Sequence, residues 1–131
     1  MSDEQQPPHP SLSRAAAAYR AAHAAFAVVQ LASLGYVWSC ALSGRRDRLL
    51  GAAAGLLVAE GAALIVGRGN CPLGPFQARL GDPVPLFQLV LPPRAAKAAV
   101  PALAAVAIAG LSALLILPSD QTDRPSRHRP S

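Results

Sequence analysis

"LLGAAAGLLVAEGAALIVG", residues 49–67, carries a single charge, Glu60, among small and apolar side chains. A soluble amphipathic helix keeps a polar stripe on one face, and this stretch is apolar or small nearly all round. Its length is what a helix needs to cross a bilayer, about 20 residues at about 1.5 Å of rise each. Two further stretches match it: no charged residue occurs from Ala21 to Ser43 or from Ala98 to Leu117. Of the 131 residues, 52% are hydrophobic and 15% charged, against about 25% charge in ordinary soluble domains. The expected fold is all-α and integral to a membrane, with three transmembrane helices over about 17–43, 47–67 and 95–117.

The flanks differ in kind. Residues 1–14 and 118–131 are polar and proline-rich, with too little apolar surface to offset the entropy of ordering. They are expected to be disordered tails around one transmembrane domain, 15–117. A cleaved leader is the main competitor for the first span, since "VWSC" at Val37–Cys40 mimics a lipoprotein cleavage site. Against it, the start "MSDEQQPPHP" is acidic rather than basic and Trp38 stands where a small residue is wanted. The helix is expected to stay attached.

The net charge of +5 does not point to nucleic acid, because the basic residues are scattered over loops and tails without aromatic interleaving or a binding motif. Facing anionic lipid explains them better, and the bilayer itself is the first expected partner. Abundant alanine, arginine, proline and glycine resemble products of GC-rich bacterial genomes, which suggests a bacterial plasma membrane. Three spans leave six basic residues on each side. Three arginines in the tight turn "RRDR", residues 45–48, are the hardest to translocate. That turn and the C-terminus are therefore expected in the cytoplasm, with the N-terminus outside.

That same short turn makes the first two spans an antiparallel hairpin. Pro101 near the start of the third span is tolerated in a first helical turn and otherwise kinks the helix. Along the second span Gly51, Gly55, Ala59, Ala63 and Gly67 recur every fourth position. Such a ridge lets helices approach closely in lipid and is a candidate packing face for the protein itself or another membrane protein.

Glu60 is the residue most out of place, since a carboxylate within a span is costly and often marks an ion, proton or substrate path. If the hairpin turns near residues 45 and 46, Gln30 lies at the depth of Glu60, and His23 and Tyr19 share nearly the same face of the first helix. Tyr19, His23, Gln30 and Glu60 thus form a candidate polar seam. A proton path would need further ionisable groups, and the third span offers only Ser112. Glu60 is more simply read as neutral or bonded to Gln30, fixing helix packing.

Cys40 and Cys71 fall at opposite ends of the hairpin, too far apart for a disulfide. Cys71 and His23 approach the same interface, which raises a metal or an activated thiol, but no Cys/His pair has ligand spacing. No metal or cofactor is expected. There is no phosphate-cradling glycine loop, paired catalytic carboxylate or serine–histidine elbow, so nothing in the motifs points to an enzyme.

"NCPLGPFQARLG", residues 70–81, opens the long connection to the third span. Pro72 suits a first helical turn, Leu73, Phe76 and Leu80 share a face, and Gly81 ends the helix. The expectation is a short interfacial helix over 72–80 with Gln77 and Arg79 toward water. A second, over 83–91, is capped by Asp82 and is interfacial or re-entrant. Cys71, Pro72, Gln77, Arg79 and Asp82 are the candidate residues of this loop.

Residues Cys71 to Leu80 resemble the signature "CPLT-P-L-E-x-R-L" of a family of small bacterial three-helix membrane proteins known only as a domain of unknown function. His23, the basic turn and Glu60 follow the order of similar residues in that family. Gly74 stands in place of its usual threonine, Gln77 in place of its glutamate, and Glu60 lies farther from Cys71. The resemblance implies an integral membrane protein with the motif loop outside the cytoplasm, and supplies no activity. The expected function is that of a non-enzymatic accessory or assembly subunit acting through helix packing and the 69–97 loop. The alternatives are a small transporter or channel-like subunit using Glu60 with Gln30 and His23, and thiol chemistry at Cys71.

Overall fold

The computed structural model describes residues 11–69 and 71–119. Both expected tails lie outside the described residues, apart from 11–14 and 118–119. The described chain is all-helical: α1 (Arg14–Ser43), α2 (Arg48–Val66), α3 (Leu73–Arg79), a single 3-10 turn (Leu86–Leu89) and α4 (Pro93–Ile116). Helices α1, α2 and α4 are long and apolar enough to cross a membrane, as expected from the uncharged stretches. Val58, Ile65, Val66, Ile108, Leu115 and Ile116 are all exposed. Such an apolar surface suits lipid and not water.

Local chemistry sets the helix ends. Ser13 accepts the Ala16 amide at 3.1 Å to start α1, and Gly44 ends it in the left-handed region at φ 71°. Asp47 starts α2 by accepting the Leu50 amide at 2.8 Å. The Tyr36 hydroxyl, 2.6 Å from the Asp47 carboxylate, does most to hold that carboxyl below its ordinary pKa, with the Leu50 amide helping and burial opposing. At the far end of α2, Gly69 donates to Leu64 O and Arg68 to Ile65 O, a pattern that puts Arg68 in the left-handed region at φ 53°.

Helix α1 is the middle of the bundle: it packs on both α2 and α4, which barely touch each other. The core lies at the turn end, where Val37, Cys40, Leu50 and Ala53 are buried beneath Tyr36, Leu57, Leu111 and Leu114. One arginine of the turn fastens that end. Arg46 donates to Leu114 O at 2.8 Å and to Cys40 O at 3.2 Å, so its guanidinium satisfies terminal carbonyls of α4 and α1 that would otherwise face lipid without partners.

The close contact between α1 and α4 depends on a glycine. Trp38 Nε1 donates to Val106 O at 3.2 Å across the notch left by Gly110, where an added Cβ would lie 2.9 Å from that nitrogen. The ridge on α2 is different. Added Cβ atoms at Gly51 and Gly55 would meet nothing within 4 Å, so this face is not packed inside the chain. Pro101 lies well inside α4, beyond its first turn, and leaves the Lys97 carbonyl without its helical donor.

The second short helix expected over 83–91 is present as the 3-10 turn Leu86–Leu89. One expectation for the connecting loop changes: Asp82 does not cap that turn, whose N-cap position is Pro85, and is engaged by side chains elsewhere. Pro83 and Pro85 remove the amide donors that a longer helix there would need. Gly81, at φ 85°, does end α3, with Asp82 N bonded to Gln77 O and Gly81 N to Ala78 O.

Gly110→Ala should lower stability by about 1–3 kcal/mol through the displaced indole. Gly61→Ala, where the added methyl meets nothing within 4 Å, should not. Denaturation in detergent followed by emission of the single tryptophan separates the two. Equal stability of both variants would remove the Trp38 contact as a determinant of packing.

Candidate functional site

Arg20 lies 23 residues before Ser43, about 35 Å along a helix, which puts it at the membrane boundary opposite the arginine turn. Around it α1 and the loop bring together a connected group of polar side chains. Arg20 binds Asp82 through two nitrogens, Nε to Oδ2 at 2.6 Å and Nη2 to Oδ1. Asp82 is only 1% exposed. A buried carboxylate without a cation would be costly, and the forked guanidinium supplies both charge and geometry. Arg20 is the main cause holding the Asp82 carboxyl below its ordinary pKa; burial opposes this, and Gln77 adds to it.

Gln77 is buried between this ion pair and α1, not turned to water as its place in the motif suggested. Its amide nitrogen donates to Asp82 Oδ2 at 2.9 Å and to Val84 O at 3.0 Å. Both protons of that nitrogen are then spent, which fixes the amide orientation and leaves Oε1 as an acceptor. It faces His23 Nδ1 at 3.0 Å. His23 must therefore carry a proton on Nδ1, and in the neutral ring Nε2 is left as the acceptor. That nitrogen lies 3.7 Å from Cys71 Sγ. One charged pair thus orients, through one amide, an imidazole toward a thiol.

Tyr19 completes the group. Its hydroxyl donates to Leu73 O at 3.0 Å, and its ring meets that of His23 edge-on with centroids 6.4 Å apart. With Gln77 inward, the outer side of α3 carries Phe76, 54% exposed, with the Arg79 guanidinium 5.6 Å from its ring centroid. Pro72 is the N-cap residue of α3.

The other half of the expected seam lies elsewhere. Gln30 donates to Leu56 O at 3.4 Å, one turn before Glu60, and its Oε1 is buried with no partner among the described residues. No hydrogen bond joins Glu60 to Gln30 or His23 among the described residues; His23 is held by the loop instead. The ridge residues Gly51, Gly55 and Ala59 are exposed, and Ala63 and Gly67 half-buried. Cys71 and His23 offer two metal donors, and no group of three or more His, Cys, Asp or Glu suited to a metal occurs among the described residues.

Arg20 is the functional-site residue that sequence reasoning passed over. Its signal was electrostatic: it is the last charge before an uncharged span, and Asp82 is the only acid in residues 67–97. In a low dielectric two such charges at one interface seek each other.

In comparisons with family models, curated proteins and solved structures, nothing matches the chain.

The sign of one pH effect follows. Because the folded Asp82 pKa is depressed, its ion pair contributes stability in full above the ordinary carboxylate value of about 4 and loses it as pH falls through the lower native value. Asp82→Asn should lower the melting temperature in detergent at neutral pH, and the gap to wild type should close only in acid below about pH 4. A gap that stays constant into strong acid would show that the charge is not its source.

Proposed function

We propose that the protein is an accessory or assembly subunit of a bacterial cell membrane, acting through the 69–97 loop and the outer face of α2 rather than by turnover of a substrate. One observation carries this: two polar side chains of the loop, Gln77 and Asp82, are buried in fastening it to α1, while large apolar side chains of the same segment are left exposed. Phe76, Leu80, Val84, Leu89 and Val90 are exposed on a segment locked from beneath by Gln77 and Asp82. A surface held in place before binding loses less entropy on docking. The unpacked glycine ridge of α2 offers a second face suited to close helix contact, with another copy or a different membrane protein.

The resemblance of residues 71–80 to the three-helix family motif supports the same assignment, with the loop outside the cytoplasm and the arginine turn inside. A transporter using Glu60 receives less support, because His23 is committed to Gln77 and Cys71 while Gln30 is bonded to the α2 backbone.

Replacing Gly51 and Gly55 together with leucine should reduce the particle size measured by light scattering in mild detergent. The same size for wild type and variant would remove the ridge as a contact face. For orientation, a membrane-impermeant maleimide applied to intact cells after a membrane-impermeant reductant should label the half-buried Cys71 and spare Cys40, which is buried in the core. Labelling of Cys71 only after lysis would reverse the orientation.

A further inference from the structure

Cys71 is joined to a larger arrangement than packing requires. Fastening the loop to α1 needs the Arg20–Asp82 pair and the Gln77 amide; it does not need an imidazole placed between that amide and a thiol. Three side chains from two parts of the chain converge, with His23 Nδ1 3.0 Å from Gln77 Oε1 and Nε2 3.7 Å from Cys71 Sγ. The order thiol, imidazole, carboxamide is the one in which an amide fixes the tautomer of a histidine that takes a proton from sulfur. Cys71 is also reachable, being half-buried at the membrane edge, whereas Cys40 is buried among Val37, Leu50 and Ala53 at the other end of the bundle. About 28 Å of α2 separates the two ends.

The geometry points to Cys71 as a site of thiol–disulfide exchange that joins this protein covalently to a disulfide-bearing partner on the loop side of the membrane. The partner and the side rest on the proposed function and orientation; the reactivity of the thiol does not. In the step itself, His23 Nε2 takes the proton of Cys71, and Sγ attacks one sulfur of the partner's disulfide. A new S–S bond forms as the old one breaks. The departing sulfur leaves as a thiolate and takes the proton back from His23. Cys71 is oxidised to the disulfide level and the departing sulfur is reduced to a thiol, so the partner's own disulfide is the only oxidant required.

Two features favour a disulfide as the electrophile. Disulfides persist outside the cytoplasm, where the loop is proposed to lie. And with Cys40 out of reach, no second thiol in the chain can resolve the product, so a mixed disulfide formed at Cys71 is undone only by the partner's released thiol or an external one, which makes it a tether and not the first half of a disulfide transfer through this chain. The charged and titratable groups around His23 among the described residues are Arg20 and Asp82, which pair with each other, and Tyr19, whose hydroxyl is donated to Leu73 O; Arg79 lies over Phe76. Among the described residues the imidazole is thus the group placed to exchange a proton with the sulfur.

The test uses the full chain in lipid nanodiscs with dithiodipyridine as the probe disulfide. Wild type should release one equivalent of thiopyridone per chain, and Cys71→Ser none. At neutral pH, His23→Gln should react about tenfold or more slowly. The deficit should vanish above about pH 8.5, where a thiol ionises unaided. A merely structural role for His23 would leave it at every pH. Gln77→Leu should show the same pH-dependent deficit, in smaller measure, if it positions the ring. Equal rates for His23→Gln and wild type at neutral pH, or reaction at Cys40, overturns the assignment of the thiol. In cells, alkylation before lysis should trap a reductant-sensitive adduct of the wild type that Cys71→Ser lacks. A reactive thiol with no such adduct overturns the tether while leaving the packing role of α2 to stand or fall by particle size.

Discussion

The buried carboxylate of Asp82 is the constraint from which the loop end of this molecule follows. With Asp82 only 1% exposed, water cannot complete its hydrogen bonds, so the chain must do so. The guanidinium of Arg20 and the amide of Gln77 share the task. Satisfying Asp82 costs Gln77 its freedom, and a fixed Gln77 in turn settles which nitrogen of His23 bears a proton. Low dielectric strengthens each link and penalises any that is left open, so the group forms as a unit. The orientation of the Cys71 thiol is a distant consequence of one carboxylate's need for partners.

The opposite end is held by different means. There Trp38 lies in the Gly110 notch and a small apolar core surrounds Val37. Apolar contact has little driving force between helices in lipid, since lipid tails offer the same contact, and close fit between backbones replaces it. Arg46 adds a polar fastening across α1 and α4 by taking up their terminal carbonyls. Both ends are therefore fastened by an arginine, one answering a carboxylate and the other answering backbone.

The three spans were legible because they rest on a local property, charge-free apolar length. What was not legible is long-range. A seven-residue helix such as α3 is too short for periodicity to declare its inner face, and the leucine and phenylalanine spacing was compatible with either face. The choice was made by Asp82 and His23, groups that sequence order places 5 and 54 residues from Gln77. Asp82 looked like a helix cap because aspartate followed by proline usually starts one; its real partner, Arg20, is 62 residues away. Arg46 was legible as a sign of topology and not as a staple. The ridge on α2 was correctly periodic, yet periodicity alone does not say whether a face is spent within the chain.

The two ends of α1 differ in how they are covered, which explains why one cysteine is buried and the other half-open. Toward the turn, α1 is enclosed by α2 and α4 together, and Cys40 there is sealed from any reagent. Toward the N-terminus the chain covers α1 with a short cap instead of a full helix, and a cap can be both fixed and permeable: Asp82 and Gln77 are buried beneath it while Cys71 beside them stays half-open. A third long helix in that place would have buried the thiol as completely as its counterpart. A connection made of one short helix and one 3-10 turn, in place of a long helix, thus leaves the sulfur half-open beside its buried neighbours.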